Sequence, residues 1–262
     1  MRYTRQGVTL EYDDIGNGVP LLLIHAFPMD RTMWRAQIAG LQQLYRVIAP
    51  DLRGFGHSTD TDGEAISMEQ YAADLKALLD SVNVKQVVVG GLSMGGYIAL
   101  AFVAQYADRV KGLILANTRA VADTEEAKQG RLANADRLLT EGTSFLIDSM
   151  APKMLGSTTK LEIGVTVRSI MARQRSAVLA SALRGMAARP DRSALLRYVK
   201  VPTLFITGSA DALIPPADSE AMHNVMSNNS TLVTLPDAGH LSNLDKADAF
   251  NDALRQYYAK VA

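Results

Sequence analysis

One stretch limits what this chain can become: Val87-Val88-Val89-Gly90-Gly91-Leu92-Ser93-Met94-Gly95-Gly96-Tyr97-Ile98-Ala99-Leu100. A β-branched apolar run stops at glycines, and a helix-forming run follows a lone serine. The pattern reads as strand, sharp turn and helix, with Ser93 at the apex. Gly91 and Gly95 stand two residues either side of it, the Gly-x-Ser-x-Gly spacing that lifts a serine hydroxyl out of a strand-to-helix turn. The spacing has a steric cause, because the helix passes close to the strand and leaves no room for a Cβ there. Other glycine-rich turns do not fit. No Gly-Lys-Ser/Thr follows, as a phosphate loop would need, and glycines 90, 91, 95 and 96 do not fall in Gly-x-Gly-x-x-Gly order.

The rest of the chain supplies a frame for such a turn. Residues 2 to 14 alternate around Gly7, with Val8, Leu10 and Tyr12 on one face, as in an antiparallel hairpin at a sheet edge. Continuous apolar runs then recur at Pro20 to His25, Arg46 to Ala49, Gln86 to Val89, Leu113 to Ala116, Thr203 to Thr207 and Thr231 to Leu235, the pattern of strands buried on both faces of a parallel sheet. Helical stretches separate them. Ser67-Met68-Glu69-Gln70 is a capping box, followed by Tyr71, Leu75, Leu78, Leu79 and Val82 at helical spacing. A last helix runs from about Asp245, with Phe250, Leu254, Tyr257 and Val261 on one face. Strand alternating with helix predicts an α/β fold wound around a mostly parallel sheet. Between 119 and 200 the alternation breaks and only helical patterns appear, with starts near Asp123, Thr143, Thr158 and Ser176.

Composition excludes several classes of function. At 262 residues and 48% hydrophobic, the chain can bury one large core with room for an insertion. Its 27 basic and 27 acidic residues balance, so no global field favours nucleic acid or an anionic membrane. With no cysteine, disulfides, thiolate metal sites and a cysteine nucleophile are all excluded. The start, Met1 to Gly7, lacks the apolar stretch of a leader, and no run approaches the roughly 20 residues of a membrane span. The expectation is a soluble, cytoplasmic protein with no membrane or nucleic-acid partner.

A serine hydroxyl is a weak nucleophile at neutral pH, so Ser93 needs a base within reach and a carboxylate to orient that base. Of the four histidines, His223 falls in a predicted helix and reads as a solvated residue, while His25 ends a strand and His57 lies in Asp51-Leu52-Arg53-Gly54-Phe55-Gly56-His57-Ser58. His240, in Pro236-Asp237-Ala238-Gly239-His240-Leu241, sits in a loop just past the last strand. Sites in open parallel sheets form beyond the carboxyl ends of strands, which favours His240 as the base. An oxyanion also needs donors, and the backbone N–H of Met94, just after the serine, is one source.

With these residues in these places the chain resembles the α/β-hydrolase family, over nearly its whole length. The resemblance implies a hydrolase core over 1–118 and 201–262 and a helical cap over 119–200. It supports His240 as the base, and it implies Asp211 as the acid, in Thr207-Gly208-Ser209-Ala210-Asp211, the family's Gly-x-x-Asp pattern before a proline turn. Asp237 reads as a loop carboxylate. The second oxyanion donor is implied at Phe27 in His25-Ala26-Phe27-Pro28, where alanine stands in place of the family's usual glycine, a departure that bears on the backbone geometry. His25 reads as structural. Trp34 is expected to line the acyl pocket, with core packing as the alternative, and Asp51 to Ser58 to shape the loop beneath the site. Neither a cofactor nor a metal is implied.

The activity this implies is a serine hydrolase that cleaves small carboxylic esters or lactones through an acyl-enzyme on Ser93. Two other chemistries use the same residue types, carbon–carbon bond hydrolysis and cofactor-free perhydrolysis. From another class, a hydrolase-like ligand receptor without turnover is also compatible. Dehalogenases and epoxide hydrolases of this fold need aspartate at the apex, and Ser93 argues against them.

A charge asymmetry lies beneath the overall balance. Residues 119–200 hold 14 Lys and Arg against 8 Asp and Glu, an excess of six positive charges that the remainder offsets. Two expectations follow: charges complementary between cap and core, or a cleft in which some of Arg168, Arg173, Arg175 and Arg184 attract a substrate carboxylate. The same segment is poor in aromatics but holds Met150, Met154, Met171 and Met186, which predicts an adaptable lining.

Overall fold

The computed structural model describes residues 1–262, apart from the side chain of Ser227. Its strands are β1 (Arg2–Arg5), β2 (Val8–Ile15), β3 (Val19–Ile24), β4 (Tyr45–Pro50), β5 (Val87–Leu92), β6 (Val110–Ala116), β7 (Thr203–Gly208) and β8 (Ser230–Leu235). They form one sheet in the order β1-β2-β4-β3-β5-β6-β7-β8. From β4 to β8 neighbouring strands run parallel, while β1 and β2 form the antiparallel edge hairpin, turning at Gly7 with φ of 81°.

The helices are α1 (Arg35–Leu41), α2 (Met68–Ser81), α3 (Met94–Gln105), α4 (Glu125–Glu141), α5 (Ser144–Met150), α6 (Leu161–Ala172), α7 (Ser176–Ala187), α8 (Pro216–Met226), α9 (Ser242–Asp245) and α10 (Ala247–Tyr258). Among the described residues no helix is long and apolar enough to cross a membrane. The capping box at α2 forms in both halves: the Gln70 N–H donates to Ser67 Oγ at 3.1 Å, and the Ser67 N–H donates to Gln70 Oε1 at 2.7 Å.

Side chains alternate across a strand, so a strand covered on both faces must be apolar at every position. Leu22, Ile24, Val89, Leu113, Leu115 and Phe205 join α2 and α3 in one core. Their neighbours Leu21, Leu23, Val88, Ile114, Leu204 and Ile206 join α1 and α10 in the other. Each such side chain contributes roughly 1.5–3 kcal/mol by leaving water. Together the two cores hold the carboxyl ends of the parallel strands at fixed spacing, and the site is built on those ends. Helices α4 to α7 lie between β6 and β7 in the chain, where the alternation breaks in the sequence. Within this insertion α4 packs along α7, and the Ser181 carbonyl accepts the Ile66 N–H at 3.3 Å, tying α7 to the segment before α2.

Candidate active site

Ser93 directly follows β5 and caps α3 with φ of 56° and ψ of −116°, a left-handed conformation seldom seen outside glycine. Such strain is on the order of 1–3 kcal/mol and persists only where the surroundings over-determine it. They do so here. The Ser93 N–H donates to the Ala116 carbonyl at 2.9 Å, and its own carbonyl accepts from Gly96 N–H, Tyr97 N–H and Thr118 Oγ1. The flanking glycines are required by contact. A Cβ on Gly91 would lie 2.0 Å from the Gly95 carbonyl oxygen, and one on Gly95 would lie 2.2 Å from that of Ile24.

His240 lies five residues beyond β8 and is 2% exposed. Its Nδ1 is 2.9 Å from Asp211 Oδ2 and 3.1 Å from Oδ1, which leaves Nε2 as the ring's proton acceptor. Asp211, three residues beyond β7, also accepts the Leu213 and Ile214 N–H groups at 2.8 and 2.9 Å and Asn117 Nδ2 at 2.9 Å. Burial pushes the Asp211 carboxyl up, but His240, Ile214 and Asn117 outweigh it and hold the group below the usual carboxylate range. Asp211 is therefore held as a carboxylate beside the ring.

Asn117 was not singled out by the sequence reading. It is fully buried, follows β6, and adopts φ of 45°. Its amide donates to Asp211 and, at 3.3 Å, to the Gly239 carbonyl beside His240, while its Oδ1 accepts Ser242 Oγ. A signal was present, since Asn117 is the first polar residue past a buried strand, the same positional rule that marks His240.

Phe27 follows β3, and its amide orientation is set by its neighbour. His25 is fully buried and bridges two backbones: Nδ1 donates to the Ala26 carbonyl at 2.9 Å, and Nε2 accepts the Leu52 N–H at 3.1 Å. Burial outweighs these contacts and nearby carboxylates, pushing the ring's pKa below the ordinary histidine value, and the neutral tautomer fits both bonds. With the Ala26 carbonyl held by His25 and also accepting Met29 N–H, the Phe27 N–H of the same peptide plane points the opposite way. Among the described residues neither Phe27 N–H nor Met94 N–H has a protein hydrogen-bond partner; the latter is one of the free donors of a helix's first turn. Asp51 supports this corner from below, accepting the Arg31 and His57 N–H groups at 2.9 Å each.

Phe27, Ser93 and His240 line a single cavity of about 280 Å³ together with Tyr97, Arg119, Asp123, Leu213 and Ile214. The insertion supplies Arg119 and Asp123 of these and adds Ala127, Arg131, Met150 and Met186. Two larger grooves, of about 370 and 470 Å³, lie along the β1-β2 hairpin and beside residues 158–163, and neither is lined by a histidine. A further staple joins the insertion to the His240 loop. Asp245 Oδ2 accepts Gly239 N–H at 2.7 Å and Gly156 N–H at 2.8 Å, and Oδ1 accepts Thr159 Oγ1. Leu241 N–H donates to the Met154 carbonyl at 2.8 Å.

Several expected residues lie elsewhere. Trp34 is 1% exposed and packs against Phe250 in the core, which absorbs its ring and keeps it off the cavity lining. None of the four arginines expected in the cleft lines the cavity, because each is held by another partner. Arg168 pairs with Asp148 at 3.0 Å, and Arg173 with Asp30 at 2.7 Å. Arg175 pairs with Asp60 at 2.9 Å, and Arg184 with Asp136 at 2.7 Å and with the Gly63 carbonyl. Arg173 and Arg175 bridge insertion to core, as the charge-complementarity expectation would have it, whereas Asp148 and Asp136 belong to the insertion itself. Of the methionines, Met150 and Met186 reach the cavity, while Met154 and Met171 are buried in the core.

Ser93, Asn117, Asp211, His240 and Phe27 thus all lie just past the carboxyl ends of strands that are neighbours in the sheet. The pattern of the alpha/beta hydrolase family matches residues 21–253, and the chain belongs to that family. Among curated relatives, 3-oxoadipate enol-lactonase 1 of Acinetobacter baylyi is 31% identical over 254 residues, 94% of this chain and 91% of the relative. Among solved structures, a malate-bound thermophilic esterase from Thermogutta terrifontis is 39% identical with a TM-score of 0.96, covering 100% of this chain and 99% of its own. The enol-lactonase from Burkholderia xenovorans LB400 is 28% identical with a TM-score of 0.88, covering 99% and 100%.

Proposed function

We propose that the protein is a serine hydrolase that cleaves small carboxylic esters or lactones through an acyl-enzyme on Ser93. The observation that carries this reading is the cavity shared by Ser93 and His240, with Asp211 bonded to the far nitrogen of the ring. In the reaction, Ser93 Oγ attacks the carbonyl carbon and His240 Nε2 takes its proton. The Phe27 and Met94 N–H groups stabilise the oxyanion. The intermediate collapses, the C–O bond to the leaving alcohol breaks, and His240 returns the proton to that oxygen. Water then attacks the acyl-enzyme by the same proton route, and releases the acid and free Ser93. Asp211 stays ionised throughout and holds the imidazolium.

The volume supports a small substrate, since about 280 Å³ lies at the lower end of ligand cavities, which run to roughly 1,000 Å³. The esterase and enol-lactonase relatives support the ester or lactone class. Steady-state turnover of a panel of short esters, γ-lactones and vinylogous diketones, with hydrogen peroxide as alternative acceptor, tests the proposal. Ester or lactone turnover is expected to dominate, with stoichiometric fluorophosphonate labelling that Ser93→Ala abolishes. Labelling without turnover of any compound would replace the hydrolase reading with that of a receptor.

A further inference from the structure

The sequence gives the insertion a positive excess, and the structure shows where part of it goes. Arg119, Asp123 and Arg131 line the cavity that holds Ser93. Asp123, with its side chain 4% exposed, is shared by two guanidinium groups: Arg131 Nε at 2.5 Å and Arg189 Nη1 at 2.8 Å. Burial pushes the Asp123 carboxyl up, yet Arg131 and Arg189 outweigh it and keep the group ionised. A single negative charge thus serves two cations.

Arg189 is the buried, structural member of this trio. It lies 4.0 Å above the Tyr97 ring and donates to the Met186 and Val121 carbonyls. Arg131 is different. Its Nη1 has only the Met186 thioether, at 3.5 Å, and sulfur is a weak acceptor. Arg119 is also incompletely matched: Nη2 donates to the Leu213 carbonyl at 3.1 Å, and the nearest carboxylate, Asp218, is 3.5 Å from Nε and off the cavity lining. That Nε is buried without a hydrogen-bond partner among the described residues. Leaving charged donors without full hydrogen bonds in a half-buried place is costly. The remaining lining is largely Phe27, Met150, Met186, Leu213 and Ile214, whose low polarity strengthens any ion pair formed there.

We propose that Arg131 and Arg119 form an anion subsite in this cavity, and that the substrate is an ester or lactone bearing a second, free carboxylate. The inference rests on the hydrolase reading for the word substrate, but not for the subsite itself. A carboxylate offers two acceptors that match the flat fork of a guanidinium, and arginine stays charged at any working pH. Ser93 and both arginines line the same cavity of about 280 Å³, so a ligand bound there faces all three.

Two measurements test it. The first compares 4-nitrophenyl hydrogen glutarate with its methyl ester, which differ only in the free carboxylate. At low salt kcat/KM should favour the anion by roughly tenfold or more, and the ratio should narrow as salt screens the attraction. Arg131→Gln should collapse the ratio by about tenfold, the size expected for one charge-assisted hydrogen bond; Asp123 keeps Arg189, so this change leaves no orphaned carboxylate. A wild-type ratio at or below one, or equal losses on both esters in Arg131→Gln, overturns the subsite and leaves Arg131 a purely structural residue. The second is calorimetric titration of the Ser93→Ala protein with succinate, which needs no turnover. Saturable binding weakened in Arg131→Gln and Arg119→Gln supports the subsite, and absence of binding overturns it. Should neither ester be hydrolysed and Ser93 resist labelling, the hydrolase reading falls while the titration still decides the anion site.

Discussion

The two walls of the cavity are built on opposite principles. On the sheet side the acid–base chain is closed: His240 bonds to Asp211, Asp211 to Asn117 and two backbone N–H groups, and Asn117 to Ser242. On the insertion side Arg131 points a nitrogen at a thioether, Arg119 leaves a buried nitrogen without a hydrogen bond, and two methionines fill the gaps. A misplacement of about 1 Å in reacting groups can cost roughly a hundredfold in rate, so the first wall is held rigid by partners within the protein. The second must read a molecule that comes and goes, and its partners arrive with the ligand.

If the sheet-side wall acts as a unit, its members cannot be removed independently. Ser93→Ala and His240→Ala are each expected to lower kcat on the order of 10⁴-fold or more, and the double variant by little beyond either single one. Losses that multiply, measured by single-turnover kinetics, would break the contrast at its root. Asn117 sharpens it. Asn117→Ala should lower kcat by about ten- to a hundredfold with little change in KM, since it strips one charge-assisted bond from the acid. Asn117→Asp should in addition move the acid limb of kcat/KM to higher pH, because a second carboxyl beside Asp211 raises the pair's affinity for a proton. An unmoved profile with full kcat would make Asn117 packing and nothing more.

The smallest effect concerns a contact away from the cavity that joins core to insertion and bears on stability. Burial pushes the Asp30 carboxyl up, but Arg173 and Thr32 outweigh it and bring its pKa down to about 2 from an ordinary 3.8. The folded state therefore holds this proton less tightly than the unfolded chain does. The stabilisation that Arg173 and Thr32 together give the carboxylate, about 2 kcal/mol at 1.36 kcal/mol per pKa unit, is present above pH 4 and is lost as the pH falls toward 2. Denaturant titrations of wild type and Arg173→Gln at pH 7 and pH 3 should show a gap that narrows at the lower pH. A gap independent of pH would show that Arg173 acts by packing alone.

What the sequence made legible was what has a short period or a fixed neighbour. The hairpin about Gly7, the capping box of Ser67 and Gln70 and the runs that became β3 to β8 are local patterns, and each formed within a few residues of its expected place. The strand before Ser93 ran on through Gly90 and Gly91 to Leu92, because Gly90 fits against Leu23 and Gly91 against the Gly95 backbone rather than ending the ladder. The residues positioned by their distance past a strand end were legible too: Ser93, Asp211, His240 and Phe27 all stand beyond one. Asn117 obeyed the same rule and was overlooked because an amide carries no charge to draw notice. The cleft arginines were misassigned for a different reason. Charge is visible in sequence, but which way a side chain turns depends on its partner, and for Arg173 that partner is Asp30, 143 residues away. Trp34 shows the same for apolar residues, since only its packing against Phe250 distinguishes core from pocket.

The Asp245 staple has a consequence for motion. One carboxylate grips the amide before His240 and, at the same time, Gly156 and Thr159 of the insertion. Were the insertion to move off the core as one rigid body, these contacts would pull His240 out of register with Asp211. An opening of the cavity that keeps His240 in place would therefore leave the stretch around 154–159 stationary. Part of the inserted segment thus serves as a fixed jamb, and a mutation that loosens it would register as lost chemistry rather than as faster exchange.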